Sequence, residues 1–256
     1  MIASARRLYI IKRLNELGII DYKSIARELD VSEATVRRDF IKLENQGSLR
    51  RVQGGAIRSE EDLENNYQVE LSMQSKHTVN TEAKQMVARA AAEVVQPGEC
   101  VFLDMGTSIA PLAPILLAMP IRIVTCNTMV LRQMKPNARA EVFVVGGRYM
   151  PADQMIVGSL AECALKKFGL HHAFIGCMGL DIHNNTVYAT DMDVTAIKQI
   201  ALQNATDAYL LADRSKLSKV GLCRIAGLDS FTTVYLDGPP PEEEFPSNVV
   251  FVEEKT

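Results

Sequence analysis

The 256-residue chain is 47% apolar and 23% charged, an ordinary globular balance, and it is long enough for two domains. Its net charge of −3 excludes a wholly basic nucleic-acid binder, and no uninterrupted apolar run reaches the ~18–20 residues that span a bilayer. Five scattered cysteines without a C-x-x-C pair exclude a disulfide scaffold; the four histidines do not share a metal-ligand spacing with them, so neither metal nor cofactor is expected.

The charge is unevenly placed. Residues 1–58 carry 12 Lys/Arg against 7 Asp/Glu, whereas the remainder carries 16 against 24. A basic head on an acidic body suggests that one end docks on a polyanion while the other does different work. At the start, Arg6, Arg7, Lys12 and Arg13 interrupt the apolar residues, so no signal-peptide core exists and a soluble, cytoplasmic protein is expected.

In chain order, Leu8, Ile11, Leu14 and Leu17 at three-residue steps predict an amphipathic helix over 6–17, ended by Gly18. Asp21 is placed to cap a short helix, 22–29, that buries Ile25, Ala26 and Leu29. After a break at 30–32, Ser32 caps a third helix that Gly47 closes, and 48–58 reads as a hairpin turned at Gly54-Gly55. Three helices and a hairpin make residues 1–58 a winged helix-turn-helix. The polar stretch 59–80 reads as a linker in which Tyr67, Val69 and Leu71 are expected to pack.

Residues 81–256 read as an α/β domain. Helices are expected at 82–95, 109–118, 129–134, 158–168 and 194–204. Strands are expected at 100–104, 121–125, 141–145, 173–176, 208–212 and 233–236. Short apolar strands separated by helices predict a mainly parallel sheet covered on both faces.

The third helix carries the first candidate site. At 100° per residue, Val36, Phe40 and Leu43 fall within about 60° of one another, while Arg38, Lys42 and Thr35 lie near 200–260° and Arg37 sits on the flank. One face anchors and the other presents Thr and cations, which is what entry into a major groove requires. The Arg50-Arg51 pair lies where a wing strand would approach the phosphate backbone. Asp39 would repel phosphate, so it is expected to pair with a nearby Arg or to cap locally.

These residues carry a resemblance. The run LDVSEATVRRDFIKLENQGSLRRVQGGA is similar to the DeoR-family signature, V-S-x-x-T-[VI]-R-R-D followed by G-x-L-x-R-x-x-G-G-A. The resemblance implies that this helix binds operator DNA, with Ser32, Thr35, Arg37 and Arg38 at the contact, and that the protein acts mostly as a repressor of sugar-utilisation genes. Two-fold operators imply a homo-oligomer.

The second candidate site is a set of strand ends. Strand 100–104 runs into Met105-Gly106-Thr107-Ser108, where a helix is expected to begin; a glycine, two hydroxyls and free helix N–H groups together suit an anion. Polar or glycine endings follow other strands: Cys126-Asn127, Gly146-Gly147, Gly176 with Gly179, and Asp213 with Lys216. FLDMGTS, VTCN, VVGG, FIGCMG and ADRSK resemble the DeoR-family sensor motifs, and the family's sensor domain is similar in fold to ribose-5-phosphate isomerase and binds phosphorylated sugars. The resemblance implies that Gly106, Thr107 and Ser108 hold phosphate. Asp104 and Asn127 would face sugar hydroxyls, and Lys198 and Lys216 would supply positive charge. Cys126 departs from the Thr usual in the family. Asp104 and Asp213 read equally well as turn caps, and Lys198 as a surface lysine. An isomerase-like enzyme, with Asp104 or Asp191 as general base, is the alternative reading, and redox sensing through Cys126 or Cys177 is a third.

Overall fold

A computed structural model describes residues 3–17, 19–45, 48–52, 54–57, 80–151, 153–241 and 244–253. The chain divides into two compact units, residues 1–70 and 71–256. The closing role expected of Gly47 and the linker expected over 59–80, Asn80 excepted, lie outside the described residues.

In the first unit α1 (Ala3–Leu17), β1 (Ile19–Asp21), α2 (Tyr22–Glu28) and α3 (Glu33–Asn45) precede the hairpin β2 (Arg50–Val52) and β3 (Gly55–Ile57). The strands form an antiparallel sheet in the order β1-β3-β2. Strand β1 escaped the sequence reading because three residues are too few to show alternation; its place comes from pairing Ile20 with Ala56. Asp21 caps α2 as expected, its carboxylate accepting the Ser24 N–H at 2.8 Å. The stripe expected on α1 needs correction. Leu8 is 74% exposed, and the inward positions are Ile10 and Leu14, four residues apart. Three-residue steps rotate about 60° backwards each time, so Leu8 to Leu17 cannot share one face of a 3.6-residue helix. Ile10, Leu14, Ile25, Val36, Phe40, Leu43 and Leu49 form the core of this unit, with Tyr22 against Phe40 at 4.9 Å between ring centres. Each such large side chain contributes roughly 1.5–3 kcal/mol through burial.

The second unit is built on a seven-stranded parallel sheet. Its strands in chain order are β4 (Cys100–Leu103), β5 (Arg122–Thr125), β6 (Glu141–Val144), β9 (Leu170–Gly176), β12 (Ala205–Leu211), β14 (Thr233–Asp237) and β15 (Val249–Val252). Side by side the order is β15-β14-β12-β9-β4-β5-β6. Alternation along the strands sends Phe102, Ile175 and Leu210 to one face, where they meet α7 (Ser159–Leu165) and α8 (Met192–Asn204). It sends Val101, Leu103, Phe174 and Leu211 to the other, under α4 (Thr81–Ala92) and α5 (Ala113–Leu117). Both faces are covered, as the apolar strands required.

Smaller elements dress the strand ends. They are α6 (Thr128–Arg132), the hairpin β7 (Arg148–Met150) and β8 (Met155–Val157), and an antiparallel sheet of β10 (Gly179–Asp181), β11 (Thr186–Ala189) and β13 (Cys223–Ala226). None of these strands, nor β15, was visible in the sequence pattern; all are three or four residues long. After β4 the chain builds outward through β5 and β6, then returns to place β9 on the other side of β4. This reversal makes a switch point between β4 and β9, and ligands of open α/β sheets bind in the crevice beyond such a point.

Candidate functional site

Helix α3 presents the surface the sequence led us to expect. Val36, Asp39, Phe40 and Leu43 face inward, while Arg37, Arg38 and Lys42 are exposed. Ser32 starts the helix, its Oγ accepting the Thr35 N–H at 3.3 Å and lying 2.9 Å from Thr35 Oγ1. Arg37 lies over the Tyr22 ring at 5.1 Å, so it is held on the flank. Among the described residues Arg38 and Lys42 engage no partner. Two of the unit's carboxylates, by contrast, are occupied. Arg6 pairs with the buried Asp39, and Arg13 with Glu28 at 3.0 Å. The hydrogen bonds of Arg13 and Tyr9 hold the Glu28 carboxyl below its ordinary range. These two acidic groups are thus neutralised inside the unit, while Arg38 and Lys42 stay free on the helix face among the described residues.

Arg50 and Arg51 are both exposed on β2 as expected, and Arg51 is also paired within the unit. Its guanidinium pairs with Glu44, whose carboxylate also accepts the Arg51 N–H at 3.0 Å. That ion pair links β2 to α3 on the exposed side of the unit.

At the switch point, Asp104 ends β4 fully buried. Its Oδ2 accepts the Gly176 N–H at 2.9 Å and pairs with Lys198 Nζ, which also donates to the Gly176 carbonyl at 2.9 Å. Lys198, 3% exposed, therefore points inward from α8 and is neutralised, so it is neither a surface lysine nor a charge offered to a ligand. Asp104 Oδ1 is buried with no partner. Asn127 does not face a ligand either. Its Oδ1 caps α6 by accepting the Met129 N–H at 2.9 Å, and its Nδ2 donates to the Asp104 carbonyl at 3.0 Å.

The loop after Asp104 is a turn, not the start of an α-helix. Gly106 sits at φ +104°, where a side chain would be strained, and a 3₁₀ turn follows only at Ala110–Leu112. Among the described residues no acceptor takes the N–H of Gly106, Thr107 or Ser108, so three donors cluster beside two hydroxyls.

Several of the other expected effector residues make contacts within the fold. Gly147 and Gly179 allow close backbone approach, since a Cβ would lie 2.6 Å from the Val157 carbonyl oxygen and 2.1 Å from that of Lys219. Gly146 is exposed beyond edge strand β6. Asp213 caps the 3₁₀ turn Arg214–Lys216, which holds the half-buried Lys216, and also accepts Asn80 Nδ2 at 3.0 Å. The isomerase reading loses its bases: Asp104 is ion-paired, and Asp191 caps α8 by accepting the Val194 N–H at 2.9 Å.

A cavity of about 830 Å³ opens beside the Gly106 turn, walled by α4, the 3₁₀ turn, α5 and α6. Of the residues singled out from sequence only Thr107 lines it; Lys84, Arg89, Arg132, Gln133 and Gln154 were missed. Lys84 was detectable. Positions 84, 87, 88 and 91 share one helix face, so this lysine, 5% exposed, interrupts an otherwise apolar stripe. Among the described residues the wall holds three cations and no carboxylate.

Burial pushes the Cys126 and Cys177 thiols up to about 12, leaving them protonated and inert at neutral pH. That removes the redox reading. In the folded protein an aromatic disulfide reagent at pH 8 is expected to label the exposed Cys163 first and to spare the buried Cys126. Rapid labelling of Cys126 would contradict its burial.

Comparison with known proteins agrees with both halves. Residues 6–62 match the DeoR-like helix-turn-helix domain and residues 79–238 the DeoR C terminal sensor domain. The chain is 31% identical over 230 residues to a lactose phosphotransferase system repressor of Staphylococcus aureus (strain MRSA252), covering 89% of each chain. It is 26% identical over 234 residues to the L-fucose operon activator of Haemophilus influenzae, covering 91% of each. Among solved structures it is similar to ribose 5-phosphate isomerase A of Methanocaldococcus jannaschii, at 16% identity and a TM-score of 0.41 over 55% of this chain and 56% of that one, too partial to place a residue. No helix among the described residues is long and apolar enough to cross a membrane. A helix-turn-helix unit followed by a sensor domain, each matching the same family, makes this chain a DNA-binding transcription regulator, not an enzyme, and a member of the DeoR family.

Proposed function

We propose that the chain represses sugar-utilisation genes as a cytoplasmic homo-oligomer and leaves its operator when a phosphorylated sugar enters the cavity beside the Gly106 turn. Arg38, Lys42, Thr35 and Ser32 would meet the duplex, with Arg37 and Arg50 at the margin. The observation that carries the effector half is the cavity wall, which brings Lys84, Arg89 and Arg132 together beside Thr107 and, among the described residues, holds no carboxylate. Its volume falls within the range of small-molecule sites, and clustered cations select an anion. The repressor sign follows the relatives of Staphylococcus aureus and Streptococcus mutans, both named lactose phosphotransferase system repressors, at 31% and 30% identity. Free cysteines suit a reducing compartment.

Thermal unfolding against a panel of sugar phosphates tests the effector half. A ligand at 100 times its Kd stabilises the folded state by about 2.7 kcal/mol. Stabilisation by a free sugar, but by no phosphorylated compound, would remove the anion from the cavity. Release from DNA requires that the same compound favour the non-binding state, since a ligand shifts an equilibrium only by its differential affinity. A reporter behind the chain's own promoter decides the sign: deletion of the chain should raise expression, whereas a fall would make it an activator.

A further inference from the structure

We propose that Gln154, on the turn between β7 and β8, is the residue that reads the hydroxyl pattern of the effector and so sets which phosphorylated sugar the protein accepts. The proposal rests on the reading that the cavity takes such a compound. Three independent features converge on this side chain. Gln154 lines the cavity, on the wall contributed by neither α4 nor α5. Its Oε1 is buried and accepts no hydrogen bond from any described residue, although a buried amide oxygen left without a donor is costly and rare. Its backbone stands at φ +53°, in the left-handed region that a glutamine seldom occupies.

The surroundings hold this conformation in place. The Gln154 carbonyl accepts both the Thr128 N–H at 2.9 Å and the Thr128 hydroxyl at 2.8 Å. The next residue, Met155, bridges to Asn127, and the Ile156 N–H donates to the Cys126 carbonyl at 2.9 Å. The turn is thereby stitched to the end of β5. A strained residue fixed from outside, lining a cavity and carrying a buried amide oxygen without a donor, suits a site held ready for a ligand. Rotation about the terminal torsion of the side chain brings that oxygen to the cavity, where a sugar hydroxyl supplies the missing donor. The cavity's cations hold the phosphate without regard to the stereochemistry of the carbons, so discrimination must come from a neutral group such as this one. A site built to bond a particular hydroxyl rejects compounds that lack it far better than an apolar wall does.

The test uses the full-length chain and two variants, Gln154→Gly and Gln154→Leu. Each is titrated calorimetrically with glucose 6-phosphate, fructose 6-phosphate, fructose 1-phosphate, ribose 5-phosphate, glycerol 3-phosphate and inorganic phosphate. The wild-type chain is expected to spread its affinities for the organic phosphates over more than tenfold. In both variants the preferred compound should lose tenfold or more and the spread should shrink to about threefold, with inorganic phosphate unchanged within twofold. Gln154→Gly should also melt no lower than wild type, because glycine adopts the positive φ freely; that separates reading from scaffolding. The proposal is overturned by an unchanged spread in folded variants, by a wild-type chain that binds all members within threefold, or by a Gly variant that melts lower and loses inorganic phosphate. Binding with an unchanged spread sinks Gln154 alone. A wild-type chain that binds none of the panel sinks the effector reading and this proposal with it.

Discussion

Replacing Arg38 with alanine is expected to weaken operator binding by about 1–3 kcal/mol, roughly 5- to 150-fold, while leaving the melting temperature unchanged. The magnitude is that of one bidentate arginine–base contact. Stability should not move, because Arg38 is exposed and engages no described residue. The variant should also relax base preference at one operator position, since a base contact carries sequence information and a phosphate contact does not. Lys42→Ala supplies the contrast: affinity should fall across all sequences alike, and the slope of log affinity against log salt should flatten by about one. For the wild type that slope must be steep, because the cations displace ions condensed on DNA. Gel-shift titrations of both variants at several salt concentrations decide it. Full operator affinity in Arg38→Ala would mean that the outer face of α3 is not the reading face. Arg51→Ala should behave differently again, losing its bond to Glu44 with little change in base preference.

The second large effect lies inside the sensor unit. Lys198→Met strands Asp104, a carboxylate with no exposure, without its counter-charge, and removal of one partner of a buried pair costs about 3–5 kcal/mol. At about 2–4 °C per kcal/mol for a unit of this size, the melting temperature should drop by roughly 6–20 °C. Asp104→Asn in the same chain removes the stranded charge while keeping an acceptor for the Gly176 N–H, so the double variant should regain most of the loss. Urea unfolding of the wild type and the three variants closes the cycle. A lysine serving the ligand directly would instead leave stability within about 1 kcal/mol of wild type while abolishing effector binding; that result would return Lys198 to the ligand. The structure favours the first outcome because Nζ already has two acceptors, Asp104 and the Gly176 carbonyl.

The amino-acid sequence by itself determined the division of labour. Helical period and turn residues marked the head, and the wheel of α3 separated Val36, Phe40 and Leu43 from Arg38 and Lys42 before any packing was known. Short apolar strands between helices specified a covered parallel sheet. These features are local, repeating every two or 3.6 residues, and so can be read along one chain. Strands such as β1, β7 and β10 are only three residues long and owe their existence to a neighbour, which no local pattern records.

Tertiary structure alone decided which polar residues face inward and which stay available. Lys198 and Asp104 are 94 residues apart in the chain and meet because the return from β6 sets β9 beside β4. Asn127 was expected to face a sugar and instead spends both ends of its amide on the backbone. Lys84, Arg132 and Gln154 come from separate elements and converge only where α4, α6 and the β7–β8 turn enclose one space. The physical reason is the range of the forces. Propensity and periodicity act over a few neighbours in sequence, whereas a charge or an amide is satisfied by whatever the folded chain brings within about 3 Å.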